Sequence, residues 1–103
     1  MLKTIGCGEL RSFHAEETVI LAGWVHRRRD HGGVIFIDLR DSTGIVQVVF
    51  NSELSPEAYA VAEQFRNEWV VYLEGVVRLR PDGTDNPAML TGDVEVQSLV
   101  ARV

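Results

Sequence analysis

Two apolar runs separated by a short polar turn constrain the fold more than any other feature of this sequence. Residues 34–40 read VIFIDLR and residues 45–50 read IVQVVF, and both runs are rich in β-branched residues, which suit a pleated sheet. The intervening residues 41–44, DSTG, are typical of a tight hairpin turn. The segment therefore predicts two antiparallel strands, and the rest of the fold has to be built around this hairpin.

Three more strand-like segments flank the hairpin. Residues 18–29 (TVILAGWVHRRR) precede it, and residues 69–80 (WVVYLEGVVRLR) and 94–100 follow it. Gly75 lies inside the fourth segment, where a glycine marks a bulge or bend. Residues 81–92 contain two prolines and two glycines, and they predict a loop between the last two strands.

One helix is predicted between the third and fourth strands. Ser55 supplies the N-cap, Pro56 the first helical position and Glu57 a first-turn acid. An apolar stripe with helical spacing follows, made by Ala58, Val61, Ala62 and Phe65. Residues 7–13 predict a further helical turn, packed beneath the strands.

The order of three strands, a helix and two strands predicts an all-β OB-fold, a five-stranded Greek-key barrel with a helix between strands three and four. The 103 residues suffice for one such domain and are too few for two, so we expect residues 1–103 to form a single domain. Strands two and three of this barrel, with nearby loops, commonly bind oligonucleotides. The fold alone does not prove that function.

Composition indicates where such a chain works. No run of 18 apolar residues occurs, and the N-terminus lacks the apolar centre of a secretion signal. Cys7 is the single cysteine, which excludes an internal disulfide. We therefore expect a cytoplasmic chain with no membrane partner.

Alternation of side chains along the hairpin separates a core face from an outer face. The core set of the second strand is Ile35, Ile37 and Leu39. Phe36 falls on the opposite, polar face, and Gln47 of the third strand is expected beside it. A ring that stacks on a base, next to an amide that reads a base edge, is typical of nucleic-acid binding. The alternatives are a Phe36 covered by a loop or another domain, and a solvated Gln47.

Basic residues are distributed unevenly in a chain of net charge -5. Nine of the ten are arginine, and five of these lie at two strand ends: Arg27, Arg28, Arg29, Arg78 and Arg80. Alternation separates the middle residue of the RRR run from the other two. Guanidinium groups suit phosphates and base edges, so a local positive patch is one interpretation. The other is a set of surface ion pairs with Asp30, Asp38 and Asp41.

No group of residues indicates catalysis or metal binding. His14, His26 and His31 match no metal-ligand spacing. Gly32 and Gly33 form neither a P-loop nor a dinucleotide-binding turn, and they suit a tight turn or close approach to a ligand. We therefore expect no catalytic residue, no metal site and no cofactor in this domain.

Residues 23–50, GWVHRRRDHGGVIFIDLRDSTGIVQVVF, closely resemble the N-terminal anticodon-binding domain of bacterial-type aspartyl-tRNA synthetases, which are class IIb enzymes. The similarity continues through residues 65–87 (FRNEWVVYLEGVVRLRPDGTDNP) and 91–96 (TGDVEV), and RRRDHGGVIFIDLRD is its most specific part. The resemblance covers most of the chain. It implies a module that binds the G-U-C anticodon loop of aspartate tRNA.

The resemblance also implies roles for single residues. Phe36 matches the aromatic residue that stacks on the middle base, uracil, and Arg29 and Gln47 match residues that read the same base. Glu95 matches the acid that recognises the first base, guanine. The remaining matches are Arg80 and Asn86 at the third base, and Arg27, Arg28 and Arg78 at the RNA backbone and loop.

His31 and Gly83 bear on the range of tRNAs. In this family, histidine and a small residue at these two positions accompany enzymes that also charge asparagine tRNA. The two anticodons differ only at the third base. The resemblance therefore implies recognition relaxed to asparagine tRNA.

The catalytic chemistry is expected elsewhere. The arginines of the second and third class II motifs do not occur in these 103 residues, so this chain alone is not expected to be an enzyme. The parent protein is expected to be an aspartate–tRNA ligase that uses ATP and Mg²⁺ in a separate catalytic domain and forms a homodimer, whereas the isolated domain is expected to be a monomer.

Two other functions remain open on the sequence. One is a non-enzymatic OB-fold module that binds single-stranded nucleic acid or a protein partner. The other is a structural surface that docks against a neighbouring domain.

Overall fold

A computed structural model describes residues 3–103. Its elements are the strands β1 (Thr18–Asp30), β2 (Val34–Asp41), β3 (Gly44–Asn51), β4 (Val70–Leu79) and β5 (Val94–Arg102), with the helix α1 (Pro56–Ala62) between β3 and β4. The strands close into a barrel in the order β1-β2-β3-β5-β4. The β3–β5 pair is parallel and the others are antiparallel. The predicted OB-fold is confirmed.

Alternate residues of the strands fill the barrel. The predicted core residues Ile35, Ile37 and Leu39 are fully buried. At one end of the barrel the rings of Phe50 and Phe65 meet edge to face, with centroids 5.7 Å apart. Aromatic pairs prefer this geometry, so the contact ties the segment after α1 to β3.

Helix α1 is shorter than the predicted apolar stripe. It begins at Pro56 and ends at Ala62, so Phe65 lies beyond it but is still buried. The helix stops because the N–H groups of Gln64 and Phe65 bond to carbonyls three residues back. Ser55 precedes the helix as predicted, but its side chain makes no capping hydrogen bond.

The segment before β1 forms two 3-10 turns, Cys7–Glu9 and Ser12–His14, where the sequence predicts one helical turn. The first turn contacts β1, β2 and β3 and closes one end of the barrel.

Among residues 3–103, no helix has the length and apolar character needed to cross a membrane.

Two bulges interrupt the regular pairing. The register between β4 and β5 shifts between Glu74 and Gly75, which confirms the bulge predicted there. A Cβ atom at Gly75 would lie 2.5 Å from the carbonyl oxygen of Gln97, so only glycine fits this approach. The second bulge lies in β1, where the register with β2 shifts between Val25 and Arg27. His26 is therefore an extra residue in that strand.

Candidate nucleic-acid interface

The bulge at His26 decides which arginines face outward. Before it, odd-numbered residues such as Val25 point into the barrel and are buried. Strict alternation would turn Arg27 and Arg29 inward as well. The extra residue reverses the alternation, so that odd-numbered residues after it face outward. Arg27 therefore lies opposite Asp38 and Arg29 opposite Phe36, and all four side chains are on the outer face.

Phe36 lines an open hollow of about 380 Å³ on this outer face. The hollow is bordered by Arg29, His31, Val34, Phe36 and Gln47. The His31 ring meets the Phe36 ring edge to face, with centroids 5.5 Å apart. The guanidinium carbon of Arg29 lies 5.6 Å from the centroid of the Phe36 ring. A partly exposed aromatic ring framed by a cation suits a flat, electron-rich base.

The turn between β1 and β2 places His31 on the rim of this hollow. Gly32 and Gly33 have φ angles of 44° and 87°, which side chains with a Cβ rarely adopt. The N–H of His31 donates to the carbonyl of Val34 at 2.8 Å and closes the turn. The tight turn expected of the two glycines is confirmed.

A row of hydrogen bonds runs from two residues that line the hollow, Arg29 and Gln47, to Glu95, which does not line it. Arg29 Nη2 donates to Gln47 Oε1 at 2.9 Å, and Gln47 Nε2 donates to Glu95 Oε1 at 3.0 Å. Gln47 is only 7% exposed, so the solvated glutamine considered from the sequence is wrong. The side chain is held at both ends, because Arg29 reaches it from β1 across β2 and Glu95 lies on β5, the other neighbour of β3.

Glu95 is a half-buried acceptor at the end of this row. Burial raises the pKa of its carboxyl, while the hydrogen bond from Gln47 and the charge of Arg80 partly offset that rise. A desolvated carboxylate gains strongly from donors supplied by a ligand. The position therefore suits a ligand edge with two N–H groups, such as that of guanine.

A second, smaller hollow of about 120 Å³ adjoins the first and shares Arg29 and Gln47 with it. Its other lining residues are Arg27, Asp38, Arg80, Asn86 and Met89. The Asn86 side chain accepts a hydrogen bond from the N–H of Ala88 at 3.0 Å, which fixes its amide within the loop. The structure thus brings Arg80 and Asn86 together next to the Phe36 hollow.

Arg80 also organises the loop that follows it. Its Nε donates to the carbonyl of Val94 at 3.1 Å and its Nη1 to the carbonyl of Thr84 at 3.3 Å. The side chain therefore holds the loop against β5 while it lines the smaller hollow.

Arg28 does not lie on this face. It pairs with the core residue Ile37 in the strand register, and its Nη1 donates to the carbonyls of Ala62, Glu63 and Phe65 at 3.0, 2.8 and 2.9 Å. These carbonyls belong to Ala62, the last residue of α1, and to the turn that follows it, and the Ala62 carbonyl also accepts a hydrogen bond from the N–H of Phe65. The structure therefore gives Arg28 a structural place, away from both hollows.

Arg78 also lies outside the two hollows. Its guanidinium contacts the Glu16 carboxylate and lies 3.4 Å from Gln97 Oε1. Arg78 is one of the expected RNA-binding residues, but it lies at the periphery of the site around Phe36.

The ion pairs considered from the sequence form for some arginines only. Arg28 pairs with Asp30 at 2.7 Å, and Arg29 approaches Asp38 at 3.9 Å. Asp41 instead contacts Lys3 at 3.6 Å. Ion pairs thus form at Arg28 and Arg29, and Arg29 belongs at the same time to the group of arginines around the smaller hollow.

Three lining residues, Val34, Asp38 and Met89, were missed as site residues from the sequence, where Asp38 was considered only as an ion-pair partner. Val34 lies two positions before Phe36 in β2, so strand alternation could have placed it on the same face. Met89 lies in an irregular loop, where no periodic pattern could have indicated its contact. In the described part of the chain, no cluster of three His, Cys, Asp or Glu side chains could hold a metal ion.

Residues 19–100 match the tRNA anticodon family model, described as an OB-fold nucleic acid binding domain. The chain belongs to this family. An anticodon-binding OB-fold domain has tRNA anticodon recognition as its class of function. The two hollows lie on β1–β3 and on the loop between β4 and β5, where such barrels bind oligonucleotides.

Individual relatives agree with this membership. The anticodon-binding domain is 53% identical over 97 residues to the aspartate–tRNA(Asp/Asn) ligase of Dictyoglomus turgidum, which covers 94% of this chain and 16% of that protein. It is 58% identical over 91 residues to the enzyme of the same name from Moorella thermoacetica, covering 88% and 15%. The chain thus spans about one sixth of the length of these relatives.

A solved structure shows the same architecture. The asparaginyl-tRNA synthetase of Pyrococcus horikoshii superposes with a TM-score of 0.82 and 32% identity, covering 100% of this domain and 23% of that chain. The similarity is therefore confined to one part of a much longer enzyme.

Proposed function

We propose that this domain binds the G-U-C anticodon loop of aspartate tRNA through the outer face that carries both hollows. The observation that supports this most directly is the Phe36 ring, partly exposed between the guanidinium of Arg29 and the edge of His31. A ring left open on a polar sheet face has no packing role to explain it. Stacking on a base gives it one.

The three bases have distinct places on this face. The middle uracil stacks on Phe36, next to the polar groups of Arg29 and Gln47. The first base, guanine, donates hydrogen bonds from its N1–H and its amino group to Glu95. The carboxylate of this half-buried residue can only accept hydrogen bonds. The third base enters the smaller hollow beside Arg80 and Asn86.

The local charge supports RNA binding by an acidic domain. Arg27, Arg29 and Arg80 all line the smaller hollow, where Asp38 is the one carboxylate among the lining residues. The net charge of -5 belongs to the whole chain and does not describe this face. Affinity is therefore expected to fall as the salt concentration rises.

Recognition extends to asparagine tRNA in this proposal. Two relatives that are more than half identical are named for both aspartate and asparagine tRNA. The two anticodons differ at the third base, which this proposal puts beside Asn86, in the loop that also holds Gly83. His31 borders the neighbouring Phe36 hollow, so its effect on the choice would be transmitted from there.

The parent protein, in the same proposal, is an aspartate–tRNA ligase of the cytoplasm that acts as a homodimer. ATP and Mg²⁺ are used in its catalytic domain, while the domain described here supplies anticodon selection.

Titration of the domain with fluorescently labelled anticodon stem-loops tests the proposal. Loops with G-U-C and G-U-U anticodons should bind more tightly than a loop of unrelated anticodon on the same stem. Phe36→Ala should weaken the G-U-C complex by about 1–3 kcal/mol, the usual contribution of one stacked base. Phe13→Ala is the matched control, because Phe13 is 76% exposed and lines neither hollow. Equal binding of all three loops, or full binding by Phe36→Ala, would contradict the proposal.

A further inference from the structure

Gln47 faces the hollow in one fixed orientation. We infer that Arg29 and Glu95 hold its amide so that it pairs with uracil on Phe36 and not with cytosine. This inference rests on the proposed function and concerns how the middle base is selected. It gives Glu95 a second role, as a positioning residue for Gln47.

The two neighbours determine which end of the amide is which. A guanidinium only donates hydrogen bonds and a carboxylate only accepts them. The group 2.9 Å from Arg29 Nη2 is therefore the amide oxygen, and the group 3.0 Å from Glu95 Oε1 is the amide nitrogen. Turning the amide over would set donor against donor and acceptor against acceptor. Gln47 is 7% exposed, so water offers little compensation for these lost bonds.

The held amide keeps one acceptor and one donor for a ligand. The oxygen has a second lone pair and the nitrogen a second N–H. Gln47 borders the same hollow as Phe36, so a base stacked on the ring lies beside these groups.

Uracil and cytosine ask for opposite orientations of such an amide. Uracil presents an N3–H donor next to a carbonyl oxygen, whereas cytosine presents an N3 acceptor next to an amino group. A freely rotating glutamine amide turns about its terminal torsion and pairs with either base. An amide that cannot turn pairs fully with only one of them.

The two hydrogen bonds that hold Gln47, from Arg29 and to Glu95, form a clamp. This clamp couples the first two anticodon positions. If Glu95 also receives guanine, its carboxylate contacts the first base with one part and orients Gln47 with the other. Loss of the carboxylate should therefore weaken binding of the first base. Separately, it should reduce the preference for uracil over cytosine at the middle base.

The test compares stem-loops carrying G-U-C and G-C-C, each bound to the wild type and to Glu95→Gln. The wild type should prefer G-U-C by about tenfold, within the range of a two-bond base contact. In Glu95→Gln a neutral amide replaces the carboxylate and either accepts or donates, so we expect the U-to-C ratio to fall below about threefold. Glu74→Gln is the matched control, since Glu74 is a half-buried glutamate on β4 with the cross-strand partners Ile20 and Val100.

A second variant removes the other end of the clamp. Arg29→Met deletes the donor to Gln47 Oε1 from a side chain 38% exposed, so the barrel should still fold. Its U-to-C ratio should fall in the same way, and a thermal melt of each variant verifies folding.

The outcomes separate this inference from the proposed function. If both variants bind G-U-C and G-C-C more weakly by the same factor, Arg29 and Glu95 contact RNA without orienting Gln47, and the inference is overturned while the function stands. A wild type that binds both loops equally overturns it too. If the wild type binds no stem-loop in preference to an unrelated one, the proposed function itself fails.

Discussion

Arg28 and Arg29 share a peptide bond, but their guanidinium groups lie on opposite sides of β1. Arg28 donates to three carbonyls at the end of α1. Arg29 lies 5.6 Å from the centroid of the Phe36 ring and donates to Gln47. The RRR run therefore contains one residue that contacts the end of α1 and two that line the hollows.

Arg28→Ala should destabilise the domain without changing its RNA contacts. The variant removes the guanidinium donor from the carbonyls of Glu63 and Phe65, which follow α1, and also removes the ion pair with Asp30. We expect the free energy of unfolding to fall by about 1–3 kcal/mol. Urea denaturation followed by tryptophan fluorescence measures it. The affinity for a G-U-C stem-loop, measured well below the unfolding midpoint, should stay within about twofold of the wild type, since Arg28 lines neither hollow.

Arg27→Ala should give the opposite result. Arg27 is exposed and lines the smaller hollow, so its loss should change the free energy of unfolding by less than about 0.5 kcal/mol. Affinity for the stem-loop should fall. The slope of log affinity against log salt should become shallower by about 0.7 if the guanidinium neutralises one single-stranded phosphate. An unchanged slope would show that Arg27 does not contact the RNA backbone.

Asp41→Asn should destabilise the barrel and alter its response to acid. The carboxylate accepts hydrogen bonds from Cys7 N at 2.8 Å and from Thr43 N at 2.8 Å. Burial alone would raise the pKa of Asp41, but the hydrogen bonds from Thr43 and Cys7 hold it below its ordinary value of 3.8. Because these hydrogen bonds go to an ionised group, we expect the free energy of unfolding of Asp41→Asn to be lower than that of the wild type by about 1–3 kcal/mol at neutral pH.

The pH dependence of that loss follows from the lowered pKa. A carboxyl with a depressed pKa stabilises the folded state above its unfolded pKa, and the contribution is lost as pH falls through the folded pKa. The difference between wild type and Asp41→Asn should therefore be constant near neutrality and shrink below about pH 4. Thermal melts across this range measure it. Asp82→Asn, on an exposed loop residue, should show no such difference.

The Cys7 thiol should resist alkylation while the domain is folded. Cys7 is fully buried, and burial, reinforced by the nearby Asp41 carboxylate, raises the pKa of its thiol. The thiolate is the reactive form, so labelling with iodoacetamide should need unfolding. We expect labelling to be on the order of 10³-fold slower than in urea, in keeping with a marginal stability of a few kcal/mol. Ser42→Cys, in the exposed hairpin turn, is the positive control, and equal rates at the two sites would contradict burial of Cys7.

The sequence predicts the elements of this fold better than their long-range partners. Alternation placed Phe36 outward and Ile37 inward, because the side-chain period of a strand is visible locally. It could not show that Gln47 meets Glu95, since those residues are 48 positions apart and become neighbours only when β5 joins β3.

The bulge in β1 was equally hidden. An extra residue such as His26 leaves no mark in composition, and it is detected only against the partner strand. The same holds for Arg28, whose carbonyl partners are 34 to 37 positions away. Alternation already separates Arg28 from Arg27 and Arg29, but only the structure shows which side each group faces and what Arg28 contacts.

The extra residue His26 reverses the inward and outward alternation of side chains partway along β1. In the first part of the strand odd positions fill the barrel, and in the second they lie on the outer face, so one continuous strand both closes the core and lines the two hollows. Without the shift, Arg27 and Arg29 would take the inward parity of Val25 and bring two charges toward the barrel interior. The irregular pairing around His26 thus decides on which side of the sheet the two guanidinium groups lie.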